Sequence, residues 1–218
     1  MARPKIHDDA LRTRLIDIAA RVLSEQGPHA ISLRTVAAEA GTSTSAIYSL
    51  FGNKGELLRA LYHEGFRRLA EHLAAVPTRK PGDDPLARLG ALGDAYLNNA
   101  LEQPHLYGLM FGPPLPELCA TDDDLTFALS TLQTLIAAVA DCVDAGIIIG
   151  PAEEAAMQLW AAEHGLASLA IAGMLGPPEH ARTFARAAEH SMVLGLMRPD
   201  RAVSDVRAPT TDRPGVFS

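Results

Sequence analysis

Apolar residues recur along this chain at intervals of three and four positions, the spacing that collects them on one face of an α-helix. The first segment shows this pattern at Leu11, Leu15, Ile18, Ala19, Val22 and Leu23. Strand-type alternation is hard to find. Apolar residues make up 48% of the chain, and most of them are Ala and Leu, which are strong helix formers. The pattern therefore predicts an all-α protein.

Capping and breaking residues delimit four helices in the first 75 positions. Ser, Thr, Asp and Asn favour the N-cap because their side chains accept a hydrogen bond from a free backbone N–H group. Glycine and proline favour the positions after a helix. These signals predict helices from about residue 9 to 26, from 33 to 40 after Ser32, from 44 to 51 after Thr42 or Ser43, and from 54 to about 75 after Asn53.

The second and third of these helices are short, and a glycine turn at Gly41 separates them. This pattern is typical of a helix-turn-helix unit, whose second helix places its N-terminal residues in the DNA major groove. Small hydroxyl side chains there allow a close approach to phosphates and base edges, and the free N–H groups of the helix end favour a phosphate. The hydroxyl residues at this end are Thr42, Ser43, Thr44 and Ser45.

The segment ISLRTVAAEAGTSTSAIYSLFGNKGELLRAL, residues 31–61, resembles the DNA-binding domain of the TetR family of transcriptional regulators. The likeness covers about residues 9–58 and includes the turn glycine, with Tyr48, Phe51 and Lys54 at three-residue steps. The resemblance implies that Tyr48 and Lys54 contact backbone phosphates. Phe51 and Ile47 would be core residues.

Further roles are implied by the same resemblance. Thr44 and Ser45 would face the bases, Arg34 would reach a base or a phosphate, and Arg3 and Lys5 would lie along an adjacent groove. One departure is that the helix from 44 to 51 has no Arg, Lys, Asn or Gln, the side chains that read bases by paired hydrogen bonds. We therefore expect specificity to depend on Arg34, hydroxyl contacts, water and DNA shape.

The pattern after residue 75 predicts a second helical domain. Residues 76–85 are rich in Pro, Gly and charge and predict a loop, and Asp84-Pro85 predicts a helix start. Further helices are predicted at about residues 125–145, 151–175 and 178–196. Asp122, Asp123 and Asp124 fit either a cation site or the first turn of a helix. The predicted domains are 1–55 for DNA binding, 56–197 for ligand binding and dimerisation, and 198–218 as a disordered tail.

Two motifs in this second domain resemble one group of TetR-type C-terminal domains. Trp160, His164 and Gly165 are similar to the Trp-His-Gly signature of that group, and PHLYGLMF, Pro104 to Phe111, is similar to another of its elements. The resemblance implies a ligand-sensing and dimerisation domain. Residues that combine apolar bodies with polar ends suit a small-molecule pocket, although a core role is the alternative for each: Tyr96, Tyr107, Met110, Phe111, Met157, Trp160 and His164.

The last two predicted helices also suit a dimer interface. A helix-turn-helix protein reads two half-sites as a dimer, and two helices from each copy would form a four-helix bundle. The alternative is that these helices pack only within their own domain. The candidate interface residues are Leu166, Leu169, Ala170, Gly173, Ala185, Ala188, Met192 and Leu196.

Charge and motif content narrow the functional classes. Residues 1–72 carry 10 Lys and Arg against 8 Asp and Glu, and residues 73–218 carry 9 against 18. This difference in charge fits an N-terminal segment that faces nucleic acid and an acidic C-terminal domain. The alternative is that the acidic residues only keep the protein soluble. Cys119 and Cys142 lack metal-site spacing, so neither a metal nor a cofactor is expected. We expect no signal peptide, no membrane span and no enzyme motif, and hence a cytoplasmic protein.

The sequence therefore predicts a ligand-responsive DNA-binding transcriptional regulator. We expect a repressor that binds a palindromic double-stranded DNA operator as a homodimer and is released by a small molecule. The alternative is a helical adaptor protein without sequence-specific DNA binding.

Overall fold

The computed structural model describes residues 5–113, 115–118 and 121–197, with side chains from Asp9 onward. Within these ranges the chain forms α-helices, one 3-10 turn and no strand, so the all-α prediction is confirmed. Arg3 and the predicted tail from 198 lie outside the described residues. The α-helices are α1 (Lys5–Gln26), α2 (Leu33–Ala40), α3 (Thr44–Phe51), α4 (Lys54–Ala74), α5 (Pro85–Glu102), α6 (Pro104–Phe111), α7 (Asp122–Ser130), α8 (Leu132–Asp144), α9 (Ala152–Ile171) and α10 (Pro178–Met197).

The caps predicted for the N-terminal helices are present. Ser32 Oγ accepts a hydrogen bond from the Thr35 N–H at 3.0 Å, and Asn53 Oδ1 accepts one from the Glu56 N–H at 3.0 Å. Gly41 ends α2 in the left-handed conformation with φ 62°, which glycine adopts at little steric cost. The turn between α2 and α3 therefore has the geometry that the sequence predicted.

Two hydrophobic clusters form the interior, and α4 belongs to both. One cluster joins α1, α2 and α3 to the first two turns of α4, where Leu57, Leu58 and Leu61 are buried. The other joins the rest of α4 to α5 through α10 and includes Tyr62, Phe66 and other buried residues. The predicted domain boundary after residue 55 thus lies close to the start of α4, and the change of cluster lies within this helix.

The predicted helix over about 125–145 is two helices in the structure, because the series of backbone hydrogen bonds between residues four apart is interrupted at Thr131. The Thr131 N–H bonds to the Ala128 carbonyl at 3.2 Å, a bond three residues back, and Thr131 Oγ1 donates to the same carbonyl at 2.7 Å. The run Asp122–Asp144 has a mean hydropathy of 1.5 in its most apolar window, and by length and composition alone it is long enough to span a membrane. In the fold, α7 packs against α4, and α8 packs against α5 and α9.

The exposed faces of α9 and α10 agree only in part with the dimer interface that the sequence predicted. Leu166, Ala170 and Ala185 are buried in the chain's own core, so these three residues are not available to a second copy. The expectation for them is wrong because a period of 3.6 indicates a shared face but not what covers it. Exposed residues that are small or apolar on these helices and at the end of α9 include Met157, Ala161, Ser168, Leu169, Ala172, Phe184, Ala187, Ser191 and Leu194.

Candidate nucleic-acid interface and internal cavity

The N-terminus of α3 presents a polar, solvent-facing helix end. Ser43 caps it, with its Oγ accepting from the Ala46 N–H at 3.2 Å. Thr44 and Ser45 are exposed, and Tyr48 follows one turn later with 57% of its surface exposed. More than half of the Tyr48 surface is exposed, so its side chain is accessible to a partner.

The buried face of the same helix holds it in place. Ile47 and Phe51 are buried against the N-terminal cluster, and the Arg12 guanidinium lies over the Phe51 ring, 5.3 Å from its centroid. The helix therefore has one face fixed in the core and one face free. Arg34 in the first turn of α2 is also exposed, and Thr42 is half-buried in the turn.

Lys54 begins α4 and makes a contact that the sequence did not indicate. Its Nζ donates to Glu117 Oε1 at 3.2 Å, which links the predicted phosphate contact to the segment after α6. Both side chains are partly exposed, so water screens this ion pair and it contributes little to stability. A phosphate could therefore replace Glu117 at small cost. Lys5 begins α1, and its side chain lies outside the described part of the chain.

A cavity of about 220 Å³ lies inside the C-terminal domain, between α4, α5, α7, α8, α9, the end of α6 and the second half of α10. Its wall is almost wholly apolar and is rich in aromatic rings, an arrangement that suits a small organic ligand. The aromatic residues that line it are Tyr62, Phe66, Tyr96, Phe111 and Trp160.

Most of the candidate pocket residues lie at this cavity or directly behind it. Tyr96, Met110, Phe111 and Trp160 line the wall. Met157 lies on the outer face of α9 with 45% of its surface exposed, away from the cavity. Met157 is therefore not part of the cavity wall and belongs to the outward face of α9.

Tyr107 and His164 support the wall through hydrogen bonds. The Tyr107 hydroxyl lies 2.7 Å from His164 Nδ1 and 3.1 Å from the Tyr96 hydroxyl. Burial lowers the pKa of His164, which favours a neutral imidazole, and burial is also the main cause that raises the pKa of Tyr107 to about 12. The three side chains therefore form a neutral polar network beside an apolar cavity.

Two glutamates also line the cavity, and sequence reasoning missed both. Glu163 on α9 is only 9% exposed, and its Oε2 has no hydrogen-bond partner among the described residues. Burial, with the nearby charges of Glu189 and Asp94, raises its pKa to about 7. Glu189 on α10 is the second acid, and burial followed by the charge of Asp94 raises its pKa, which Arg186 partly offsets.

A charged network links α4 to α7, next to the cavity wall. Asp124 is 1% exposed, accepts from Arg59 Nε at 2.9 Å and lies 2.5 Å from His63 Nε2. It also accepts from the Thr121 backbone N–H at 2.7 Å, which completes the capping box of α7. Burial alone would raise the pKa of Asp124, but these hydrogen bonds outweigh it and hold the pKa well below its usual range.

The sequence does contain a signal for one of these missed residues. Glu163 falls on the apolar face of α9, between Leu159 and Leu166 at helical spacing, and a charged residue at a core position marks a functional candidate. Asp124 fits the first turn of α7, as one of the two sequence interpretations had it, and its contact with Arg59 spans 65 residues. No local pattern encodes such a contact.

Comparisons with known proteins agree with this architecture. A sequence model of bacterial regulatory proteins of the tetR family matches residues 15–61, and a model of tetracyclin repressor-like C-terminal domains matches residues 89–192. An HTH-type transcriptional regulator of Mycobacterium tuberculosis is 25% identical over 142 residues, which are 65% of this chain and 59% of that protein. The chain thus spans about three fifths of this relative's length.

Other similar proteins cover different shares of the chain. The HTH-type nicotine-responsive transcriptional repressor HdnoR of Paenarthrobacter nicotinovorans is 40% identical over 65 residues, 30% of this chain and 34% of that protein. A protein of unknown function from Rhodococcus sp. RHA1 aligns with a TM-score of 0.74 at 32% identity, over 86% of this chain and 95% of its own. A TetR transcription regulator from Haloarcula marismortui shares the fold, with a TM-score of 0.68 at 24% identity over 85% and 97% of the two chains.

A helix-turn-helix unit joined by one long helix to a cavity-bearing helical domain defines a class of DNA-binding regulators. The two sequence models together cover most of this chain, and the chain belongs to the TetR family of bacterial regulatory proteins. These are transcription regulators rather than enzymes. Membership of the Trp-His-Gly group stays a prediction, because the matched C-terminal model has a more general description.

Proposed function

We propose that this protein is a one-component transcriptional repressor in the bacterial cytoplasm. It binds a palindromic operator as a homodimer and leaves the DNA when a small molecule fills the cavity. The observation that supports this proposal most directly is the exposed N-terminal end of α3. Thr44, Ser45 and Tyr48 project from a helix whose other face is fixed in a core, the arrangement of a recognition helix.

The geometry suggests which contacts would read the DNA. Tyr48 and Lys54 would bind backbone phosphates, which position the helix without reading sequence. Thr44 and Ser45 would contact base edges through hydroxyl groups, and Arg34 offers the one long basic side chain in the first turn of α2. Because the α3 residues lack bidentate side chains, part of the specificity would come from DNA shape.

The outward faces of α9 and α10 support the homodimer. From residue 157 to residue 173, the single charged residue of α9 is Glu163, which is buried. The outward face of α9 in this range is therefore uncharged and mostly small or apolar, and Leu169 of α9 and Phe184 of α10 are large exposed apolar residues. A two-fold axis would bring the four helices together into a bundle and cover this surface.

The long helix α4 offers a path from ligand to DNA. Its first residue is Lys54, and its later turns contribute Tyr62, Phe66, Leu69 and Leu73 to the cavity wall. A ligand that requires a different position of these side chains would move the helix and change the separation of the two recognition helices. It can do so only if it binds the released form more tightly than the DNA-bound form.

The test is enrichment of genomic DNA by the purified protein. Fragments of the source genome would be captured at about 150 mM salt, where non-specific phosphate binding is weak, and then sequenced. Enrichment of a few sites that share an inverted repeat supports the proposal. Uniform or absent enrichment contradicts it and favours the helical adaptor, which would show no operator.

A further inference from the structure

The cavity contains two acidic groups that converge on one point of its wall. Glu163 comes from α9 and Glu189 from α10, and both face Gly93 of α5. A Cβ atom placed at Gly93 would lie 3.2 Å from Glu189 Oε2 and 3.4 Å from Glu163 Oε1. Glycine at this position therefore leaves room for both carboxylates.

Within the described part of the chain, no basic side chain lies in the cavity to neutralise these acids. Among the described residues that line it, none is Lys, Arg or His. The nearest cation that acts on Glu189 is Arg186, which is 67% exposed and makes both of its side-chain hydrogen bonds, at 2.9 Å, with Asp94. The other ionisable neighbours add no positive charge, because Asp94 is acidic and burial lowers the pKa of His164.

An apolar cavity with a partnerless carboxylate oxygen has an unmet electrostatic requirement. A buried carboxylate is costly unless it is paired, and Glu163 Oε2 has no partner among the described residues. An anion would be repelled by both glutamates. A neutral apolar molecule would remove water from the carboxylates without replacing the lost interactions.

We propose that the cavity binds a hydrophobic organic cation, an amine or a quaternary ammonium compound with an aromatic or aliphatic body. The cationic centre would lie at Glu163 and Glu189, and the body would contact Trp160 and Phe111, whose rings also attract a cation. This inference rests on the proposed function, since it names the ligand class of the effector cavity.

Proton linkage follows from this arrangement. Without ligand the pKa of Glu163 is raised to about 7, so part of the protein carries a neutral Glu163 at neutral pH. A bound cation favours the carboxylate, so binding releases a proton from that fraction. The affinity for a permanently charged cation therefore falls as the pH drops below about 7, and it levels off above that value. Tyr62, Tyr96 and Tyr107 also face this region, but they are neutral over this range.

The experiment compares two probes of nearly equal shape. Phenyltrimethylammonium carries a permanent positive charge, and tert-butylbenzene has carbon in place of the charged nitrogen. Binding is followed by calorimetry and by the fluorescence of Trp160, which is the only tryptophan of the chain and lines the cavity. The proteins are the wild type, Glu163→Gln and Glu189→Gln, with Glu154→Gln as a control at an exposed position of the same helix as Glu163.

We expect the cation to bind more tightly than the neutral probe by about tenfold or more. Glu163→Gln should weaken cation binding by about tenfold and reduce its pH dependence near pH 7, without weakening the neutral probe. Glu189→Gln should weaken cation binding to a smaller extent, and Glu154→Gln should change neither probe. Equal binding of the two probes, no cation binding, or a cation affinity unchanged in Glu163→Gln would overturn the inference.

The outcome can be separated from that of the proposed function. Operator enrichment is measured without any probe, so failure of cation binding with enrichment intact overturns the ligand class alone. Cation binding that depends on Glu163 but has no effect on the operator complex supports the ligand class. It then contradicts release by ligand, which belongs to the proposed function.

Discussion

At the scale of single residues, the exposed side chains around α3 divide into those that would position the DNA and those that would read it. Thr44 and Ser45 lie at the N-terminal end of α3. Tyr48 follows in the second turn of the same helix, and Lys54 is the first residue of α4. Phosphate contacts affect all sequences alike, whereas base contacts affect only the base pair concerned. The two groups therefore give different results when they are mutated.

Lys54→Ala should weaken binding to operator and random DNA by similar factors. It should also reduce the slope of log affinity against log salt by about one, because one phosphate contact is lost. Fluorescence anisotropy at several salt concentrations measures both quantities. Lys80→Ala is the matched control, since Lys80 is an exposed loop lysine far along the chain from α3. An unchanged slope in Lys54→Ala would remove the phosphate role.

Thr44→Ala should instead change the preference among operators. Loss of a hydroxyl contact to one base edge should reduce discrimination at that base pair by about 1 kcal/mol and leave the salt slope unchanged. The measurement is competition binding against a set of operators with single base-pair changes. Equal loss of affinity for every operator would show that Thr44 contacts the backbone.

At the scale of helices, the contact between α4 and α7 joins the DNA-binding unit to the cavity wall. Asp124 accepts hydrogen bonds from Arg59 on α4 and from Thr121, the N-cap residue of its own helix. Leu125, Ala128 and Leu129 of α7 line the cavity. A ligand that displaces α7 would thus act on α4 through Asp124.

Asp124→Asn should destabilise the protein by about 2–3 kcal/mol, because it breaks a buried charged network. The pKa of Asp124 is lowered by folding, so its contribution is fully present above the unfolded value of about 4 and is lost progressively as the pH falls from there to the lower pKa of the folded state. Urea unfolding at pH 7 and pH 3 measures the effect of Asp124→Asn, which should be smaller at pH 3. The exposed Asp123→Asn is the control, and equal losses for the two variants would contradict the network's role.

At the scale of the whole molecule, α9 and α10 leave several small and apolar side chains exposed, and a second copy would cover these in the proposed assembly. Leu169 and Phe184 are two of the large exposed apolar side chains on these helices. Their burial in a dimer would contribute free energy in proportion to the apolar area removed from water. The half-site spacing of the operator would then follow from the dimer geometry.

Phe184→Asp should convert the dimer into a monomer, because it places two charges near the two-fold axis in a region that excludes water. Light scattering during size-exclusion chromatography gives the mass directly. Thr126→Asp adds the same charge to the exposed side of α7 and should leave the dimer intact. A monomeric wild type, or a Phe184→Asp variant that stays dimeric, would contradict this interface.

The amino-acid sequence by itself determined the helices of the helix-turn-helix region and the caps at which they begin. Ser32, Ser43 and Asn53 cap their helices as predicted, because a cap is made by a side chain and an N–H group only two or three residues away. The order of short helix, glycine turn and short helix depends on the same local bonds. The family resemblance rests on these residues, and the sequence comparisons agree with it.

Only the tertiary structure decided which faces meet and which groups share a site. Leu166 is buried within the chain and Leu169 is exposed, although both are apolar residues of one helix. Glu163 and Glu189 meet at Gly93 because α5, α9 and α10 pack together. Such contacts depend on the positions of all the helices at once, whereas the caps depend on consecutive residues. The sequence therefore predicted the helix-turn-helix unit in detail, whereas only the folded chain shows that Glu163 and Glu189 lie together in the cavity wall.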